Sequence, residues 1–488
     1  MKVEKLLERS VYECVQGSSE TEVCGISFDS RNVKKGDLFV CIRGASVDAH
    51  AFLPAVVEAG AAAVVVEEPV SAPEAVTVIR VDSTRLALAE ISAAWFGYPA
   101  EKMTTVGVTG TKGKTTTTHM IKAILEAAGH KVGLVGTNGA VIGDAVHPTK
   151  NTTPESYELQ QYFREMADAG CTHMVMEVSS QGIMLNRVGG FSFDYGVFTN
   201  LAPDHIGPGE HASFEEYLRY KSRLFRMCRV GLGNQDDDHW EEVKQGRTCE
   251  LYTYSVKGKG DFFAENVHYR AGGEFMGVAF DVKGRRELAA DVNIPGLFNV
   301  YNAMAAIGVC SLIGISEEAI KKALRTVAVD GRMEIVYASD DFSVIVDYAH
   351  NEVSMESLLT TLRDYRPGRL VCLFGCGGNR SRLRRYGMGE ISGRMADFTI
   401  ITADNSRFEE VEDIIADIKV GMARTDGKFA EIPDRREAIH YAVKHAEKGD
   451  MIVIIGKGHE DYQEIKGVRY PFLDKAVARE ALREEGRI

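Results

Sequence analysis

The chain has 488 residues, too many for one hydrophobic core, and its length predicts about three domains of ordinary size. The 45% apolar and 26% charged shares fit a soluble globular protein and exclude a disordered or fibrous one. A net charge of −13 argues against bulk binding to nucleic acid or to an anionic membrane, so any anionic substrate must be held by local positive groups.

No apolar run is long enough to span a bilayer. The N-terminal stretch MKVEKLLERSVYECVQG is charged and does not read as a signal peptide. Both features predict the cytoplasm. The nine cysteines are scattered, odd in number and form no CxxC pair. They predict reduced, mostly buried thiols rather than a disulfide framework or a zinc site.

Taken in chain order, residues 1–100 carry short strand-like runs, DLFVCIRG and AAAVVVEE, between helical stretches, and predict a small α/β domain. FGYPAEKM reads as a connector. From residue 101 to about 330 an apolar strand at Met103–Val108 leads into a glycine-rich turn and a helix over Lys114–Ala128, stopped by Gly129. The runs HMVMEVSS and YGVFTNL follow, and strand–helix alternation predicts a mostly parallel, doubly wound sheet. A third block, 331–488, opens after GRMEIV and repeats the parallel α/β pattern in SVIVDY, LVCLFG, FTIITAD and MIVIIG. Each of these strands ends in glycine, polar or charged residues, where such folds place ligands.

The stretch VGVTGTKGKTTTTHM, 106–120, raises the first chemical question. A strict Walker loop wants a glycine where Val108 stands, so the pattern fails by the letter. Its physical content survives: strand, glycine-rich turn, Lys114, Thr115, helix start. Backbone N–H groups of Gly110, Thr111, Lys112, Gly113 and Thr116 and the helix dipole suit a phosphate. Lys114 reaches the β- and γ-phosphates in such loops, and the Thr115 hydroxyl sits on Mg²⁺. The bland alternative is a glycine turn that caps a helix.

The spacing GTKGKTT, 110–116, resembles the Mur ligase superfamily, whose usual form is GTNGKTT; Lys112 stands where those proteins carry Asn. The resemblance continues in order through NTTPE (151–155), MEVSSQG (176–182), FTNLAPDH (198–205), YNAMAA (301–306), GRME (331–334), VDYAH (346–350), FGCGGNR (374–380), DNSR (404–407) and GKGHEDYQ (456–463). DSRNVKKGDLFV, 29–40, fits the family's N-terminal domain. The match covers essentially the whole chain and is closest to the branch that adds the third residue of the peptidoglycan stem peptide.

The resemblance implies a three-domain α/β architecture: a UDP-substrate domain over 1–100, a central ATP-binding domain on a P-loop-type parallel sheet over 101–330, and a Rossmann-like amino-acid domain over 331–488. It implies that ATP phosphorylates the terminal carboxylate of UDP-MurNAc-L-Ala-D-Glu. An amine then attacks the acyl phosphate to give an amide and phosphate. A carboxylate is a poor electrophile at neutral pH, so phosphorylation supplies the leaving group. Two anions must meet, which calls for cations at the site.

By the same resemblance Mg²⁺ is held by Thr115, Glu177 and a carbamate formed from CO₂ on Lys221, with His205 nearby, and Lys114 and Arg332 add positive charge at the phosphates. Carbamylation needs the neutral amine, and at a reference pKa of about 10.4 fewer than about one lysine in a thousand is neutral at pH 7. On the residues alone, Lys221 in HASFEEYLRYKSRLF reads rather as an exposed helical lysine paired with Glu215 or Glu216, and the resemblance reverses that reading. Glu177 reads equally as a buried carboxylate satisfied by backbone. Adenine and ribose contacts are implied for Asn299, Asn302 and Asp347, which otherwise read as caps or packing amides. Two local departures stand out: DHIGPGEH replaces a DHLDYHG-like segment, and Asn351 and Glu352 follow VDYAH where the family places a proline.

For the muramoyl dipeptide the resemblance implies Ser30 at the uridine end, and Asn151, Thr152, Thr153, Ser179 and Arg187 at the D-Glu end. Asn-Thr-Thr-Pro is also a good helix start. The amino acid added is meso-diaminopimelate or L-lysine. Diaminopimelate carries a second carboxylate that calls for an Arg. The family's diaminopimelate signature DNPR appears here as DNSR: Asp404, Asn405, Ser406, Arg407. Arg380, Gly456 and Glu460 match the remaining positions for that amino acid. Arg407 otherwise reads as a solvated arginine paired with Glu409 or Glu410. Diaminopimelate is the expected substrate and L-lysine the alternative. A non-catalytic nucleotide-binding descendant is the rival of another class. No nucleic-acid partner or membrane insertion is expected, and a monomer is.

Overall fold

The computed structural model describes residues 1–44, 47–207, 209–273 and 275–488. By contact the chain forms two compact units, Met1–Phe262 with Ala305–Ile320, and Phe263–Met304 with Lys321–Ile488.

The first unit holds two sheets. The N-terminal one has five short strands in the order Glu13–Gln16, Thr77–Arg80, Ala63–Val66, Asp37–Val40, Gly25–Ser27. All neighbours are parallel except Glu13–Gln16 against Thr77–Arg80. Helix Thr84–Trp95 covers one face, and its start is fixed by Ser83, whose hydroxyl accepts from the Leu86 amide. The buried side chains under it, Leu38, Val40, Val65, Ile79, Leu88 and Ile91, alternate on the strands and repeat at helical spacing on Thr84–Trp95.

The second sheet of this unit runs Glu250–Ser255, Cys228–Asn234, Phe193–Phe198, Thr104–Thr109, His173–Glu177, Val132–Gly136, all parallel. A meander, Gly139–Ile142 and Ala145–His147, adds antiparallel strands beyond Val132–Gly136. The predicted parallel sheet is therefore present, with an antiparallel edge that the strand–helix alternation did not predict. Chain order reverses beside Thr104–Thr109, so a crevice opens at its C-terminal end, where the glycine-rich turn begins. Helix Lys114–Ala127 follows that turn.

The second unit is built on a six-stranded sheet, Glu334–Ala338, Phe342–Asp347, Asp450–Ile455, Arg369–Phe374, Phe398–Ile401, Phe429–Glu431. Only the first pair is antiparallel. A hairpin, Tyr462–Ile465 with Val468–Pro471, lies apart from it. Asn351, in the position where a proline was expected, N-caps helix Glu352–Arg363 through a reciprocal capping box with Ser354. Among the described residues no helix is long and apolar enough to cross a membrane.

Candidate active site

The turn after Thr109 is shaped by close approach. Gly110 has φ +152°, and a Cβ there would lie 1.9 Å from Thr199 Oγ1. Gly113, at φ +85°, immediately precedes the helix. The backbone of Lys112 is anchored between Thr199 and Asn200: its amide donates to Asn200 Oδ1 (2.9 Å), and its carbonyl accepts from Asn200 Nδ2 (2.9 Å) and Thr199 Oγ1 (2.7 Å). The Lys112 side chain is exposed, and the bonds that anchor it to Thr199 and Asn200 are made by its backbone.

Four predicted residues meet around this turn. Lys114 Nζ donates to the carbonyls of Gly110 (2.8 Å) and Thr111 (3.1 Å). The Thr115 hydroxyl donates to Glu177 Oε1 at 3.0 Å. Glu177 is buried at the end of its strand and also accepts from the Thr137 amide (2.9 Å). Space for its carboxylate is left by Gly136, whose Cβ would lie 2.3 Å from Glu177 Oε1. Lys221 Nζ donates to the same Gly110 carbonyl at 2.8 Å and lies 4.7 Å from the centre of the Tyr217 ring. Tyr217 in turn exchanges a hydrogen bond with Thr111 Oγ1 at 2.9 Å.

Lys221 is only 2% exposed, so it is not the solvated helical lysine that its neighbours suggested. Glu216 pairs instead with Arg219 and with the Ala212 amide. Burial, with the Lys114 ammonium close by, holds the Lys221 amine well below the ordinary lysine range. Thr115 and Glu177 offer a hydroxyl and a carboxylate oxygen side by side, the donor types a hard divalent cation takes.

His205 lies at the rim, half exposed, with φ +55° and Nδ1 3.0 Å from Glu210 Oε1. In the same segment, His211 is fully buried, with Nε2 2.8 Å from Ser180 Oγ and, among the described residues, no partner for Nδ1. Burial holds its imidazole below the ordinary histidine range. Pro208 of DHIGPGEH lies outside the described residues. Thr116 is buried in the first helical turn.

Four of the five residues expected at the dipeptide end are linked by hydrogen bonds, Thr152 through Thr137 and Glu177. Thr153 Oγ1 donates to the Glu177 carbonyl (3.0 Å) and accepts from the Ser179 amide (3.0 Å). Arg187 Nε donates to Glu155 Oε1 (2.8 Å) and Nη1 to the Thr153 carbonyl (3.2 Å). Thr152 Oγ1 is 3.1 Å from Thr137 Oγ1, and Asn151 is exposed. Helix Ser156–Asp168 has Glu155 at its cap without a side-chain bond, so Asn151-Thr152-Thr153 does not cap it. Ser179 does cap the next short helix, accepting from Gly182 at 2.9 Å. Ser30 opens a short 3₁₀ turn capped by Asp29.

In the second unit, a cavity of about 320 Å³ is lined by Arg380, Asp404, Asn405, Arg407, Gly456 and Glu460 together with Tyr348, His350, Arg384 and Arg385. Every residue predicted for the amino acid except Ser406 is on that wall, and Ser406 is buried beside it. Asn405 Nδ2 donates to Glu460 Oε2 at 2.9 Å. Lys457, fully buried and not anticipated, donates to Asn405 Oδ1 (3.1 Å) and Glu460 Oε2 (3.2 Å). Arg407, at φ +52°, donates to the Gly378 carbonyl at 2.7 Å, and its Nε is 3.7 Å from Glu464. Glu409 is taken by Arg385 and Glu410 pairs with Lys466, so neither holds Arg407. Gly456 makes room for Asp404, whose Oδ2 is 2.5 Å from where a Cβ would stand. Burial raises the Asp404 carboxyl above the ordinary aspartate range.

The remaining predicted residues also lie in this unit. Asn299 Nδ2 donates to the Pro295 carbonyl (2.6 Å), and Asn302 Nδ2 to Asn299 Oδ1 (2.8 Å). Asp347 accepts from the Met333 and Ala349 amides, both at 2.8 Å. The Arg332 guanidinium lies 5.0 Å from the centre of the Tyr348 ring, and its Nε is buried without a partner among the described residues.

Known proteins can be set against this geometry. The Mur ligase family catalytic domain matches residues 22–96, the Mur ligase middle domain 108–310, and the Mur ligase glutamate ligase domain 331–458. The chain is 40% identical over 486 residues to a protein of Caldanaerobacter subterraneus subsp. tengcongensis named UDP-N-acetylmuramoyl-L-alanyl-D-glutamate--2,6-diaminopimelate ligase, covering 99% of both chains. To the protein of the same name from Clostridium tetani it is 41% identical over 491 residues, 99% of this chain and 100% of that one. A solved structure titled as that ligase matches with a TM-score of 0.76 at 28% identity over 100% of both chains. The MurF ligase of Thermotoga maritima in complex with ADP shares the fold, with a TM-score of 0.57 at 17% identity over 96% of this chain and 99% of its own. The chain belongs to the Mur ligase family.

Proposed function

We propose that the protein joins meso-diaminopimelate to UDP-MurNAc-L-Ala-D-Glu at the expense of ATP, through an acyl phosphate, in peptidoglycan synthesis. The observation that carries this reading is the seating of Lys114, Thr115, Glu177 and Lys221 around one glycine-rich turn. The chain that holds it is about 40% identical, end to end, to enzymes named for that reaction.

The amides of residues 110–116 and Lys114 hold the ATP phosphates and draw charge from the γ-phosphate as the D-Glu carboxylate attacks it. Arg332 adds charge there, and Asn299, Asn302 and Asp347 contact adenosine. Thr115, Glu177 and a carbamate on Lys221 hold Mg²⁺, which when bound neutralises the phosphate oxygens and polarises phosphorus. The carbamate reading rests on a physical conflict. Two lysine amines donate to one buried carbonyl, so one of them is driven toward its neutral form, and burial selects Lys221. The neutral amine attacks CO₂ and loses a proton, and the resulting anion removes the repulsion. His205 stands at the rim of this set.

Asn151, Thr152, Thr153, Ser179 and Arg187 orient the dipeptide, and Ser30 contacts the uridine end. Arg407 and Arg380 take the distal carboxylate of diaminopimelate, Glu460 its ammonium, and Asp404, Asn405, Ser406 and Gly456 complete the wall. In this assignment the three domains are 1–100, 101–330 and 331–488, in keeping with the three matched segments. Under this reading the enzyme works in the cytoplasm as a monomer.

The test is ADP release by the purified protein with UDP-MurNAc-L-Ala-D-Glu and meso-diaminopimelate, L-lysine or no amino acid. Release with diaminopimelate alone is expected. Release with lysine alone keeps the ligase and refutes the role given to Arg407. No release with either refutes the ligase reading. Carbon-13 bicarbonate tests Lys221 separately: a carbamate resonance present in the parent and absent in Lys221→Met is the expected result.

A further inference from the structure

Three neighbouring parallel strands carry glycine at the same level. Gly107 pairs with Gly196, and Gly196 with Gly231. Over each glycine lies the side chain of a residue near the start of the adjoining strand. A Cβ on Gly107 would meet the Phe193 ring at 2.9 Å, one on Gly196 would meet Cys228 Sγ at 2.7 Å, and one on Gly231 would meet Cys249 Sγ at 2.9 Å. Strand spacing is about 4.8 Å, so sulfurs above adjacent glycines are set within a strand's width of each other. Each thiol is also close enough to perturb the titration of the other. Both thiols are free, Cys228 buried and Cys249 only partly so.

We propose that Cys228 and Cys249 form a reversible thiol–disulfide site on the flank of the catalytic sheet, closed by a low-molecular-weight disulfide. The glycine row clears a shared volume for two sulfurs on neighbouring strands, about one strand spacing apart. Their mutual influence also divides the roles. The Cys228 neighbour holds the Cys249 thiol below its ordinary range, with Arg247 adding to the effect, while Cys228 is pushed up and keeps its proton. Cys249 is the more exposed of the two and the better thiolate, so it is the attacking group.

The Cys249 thiolate attacks one sulfur of RSSR, breaking that S–S bond, forming a mixed disulfide and releasing RS⁻. The Cys228 sulfur gives up its proton, attacks the Cys249 sulfur and expels the second RS⁻. The protein dithiol loses two electrons and two protons, and one RSSR becomes two RSH. The bond would adjoin the turn Arg223–Arg226, because a Cβ on Gly196 would also lie 3.2 Å from Leu224 Cγ. That turn directly follows the helix that carries Lys221.

The test treats the full chain with glutathione disulfide, alkylates the remaining thiols and maps the peptides. Most chains are expected to yield one linked pair containing Cys228 and Cys249, and dithiothreitol undoes it. In Cys228→Ser a stable glutathione adduct should remain at Cys249, and in Cys249→Ser neither link nor adduct should appear at Cys228. The exposed Cys14 and Cys24 report that the reagent is active. Glutathione on those two without a 228–249 link overturns the proposal, as does absence of a Cys249 adduct in Cys228→Ser.

Discussion

Arg435 and Asp474 form an ion pair whose two side chains are both 0% exposed, with Nε and Nη2 each 2.7 Å from a carboxylate oxygen. The remaining donors of Arg435 reach the carbonyls of Ala403 (3.1 Å) and Ile455 (3.0 Å). Those residues immediately precede Asp404 and Gly456, so one buried guanidinium ties together two segments that wall the cavity proposed for the amino acid. Asp474→Ala leaves that charge uncompensated and should cost about 3–5 kcal/mol. Each 1.4 kcal/mol is about tenfold, so local opening should rise by roughly two to three and a half powers of ten. Hydrogen exchange at strands 398–401 and 450–455 is the suitable assay, because a chain of two compact units need not unfold in one step. The double change Arg435→Met with Asp474→Leu removes both charges and should recover most of the protection. It cannot restore the two bonds to the carbonyls. Its KM for diaminopimelate should therefore stay raised about tenfold or more, the worth of two hydrogen bonds at about 1–3 kcal/mol together. A loss below about 1 kcal/mol in Asp474→Ala, or a double variant with unchanged KM, refutes this account of the clamp.

Glu177→Gln should lower Mg²⁺-dependent ADP formation by at least about a hundredfold, since the cation is worth several kcal/mol in the transition state. Gly136→Ala should produce the same defect by pushing the carboxylate aside, and normal turnover in it would contradict the packing described. Arg407→Lys should raise the KM for diaminopimelate by about tenfold or more, because a point charge replaces a bidentate fork; an unchanged KM would remove Arg407 from the site. His173, buried against Thr172 and His130, has its imidazole lowered to about 4 from an ordinary 6.5, chiefly by burial. Its folded pKa is depressed, so its contribution to stability is present above the unfolded value and is lost as pH falls from about 6.5 to about 4. His173→Gln should therefore flatten the acid side of a Tm-against-pH curve, and parallel curves for the two proteins would show that His173 does not titrate on unfolding.

Strands and phosphate turn were legible because each is written in contiguous residues: apolar runs of strand length, then glycines and Gly-Lys-Thr at a helix start. The convergence of DNSR and GKGHE on one cavity was legible for a related reason, since both are short motifs at the ends of parallel strands. Lys221 was different. Its neighbours, EEYLRYKSR, read as a solvated helix, and its burial comes from a carbonyl 111 residues earlier in the chain. Tyr217, one helical turn before Lys221, bonds Thr111 across a similar separation and carried no local signal. In DHIGPGEH a reading of motifs selects His205, yet the fold buries His211 against Ser180 and leaves His205 at the rim. Lys457 sits inside a recognised motif but shows its bridging role only once Asn405 and Glu460 converge on it. In each case the chemistry depends on desolvation, and desolvation is set by which distant segments close over a side chain. The same holds for the glycines at 107, 196 and 231, which look unremarkable singly in three separate strands. They acquire meaning through parallel register, which places them in one row and sets two cysteines above it.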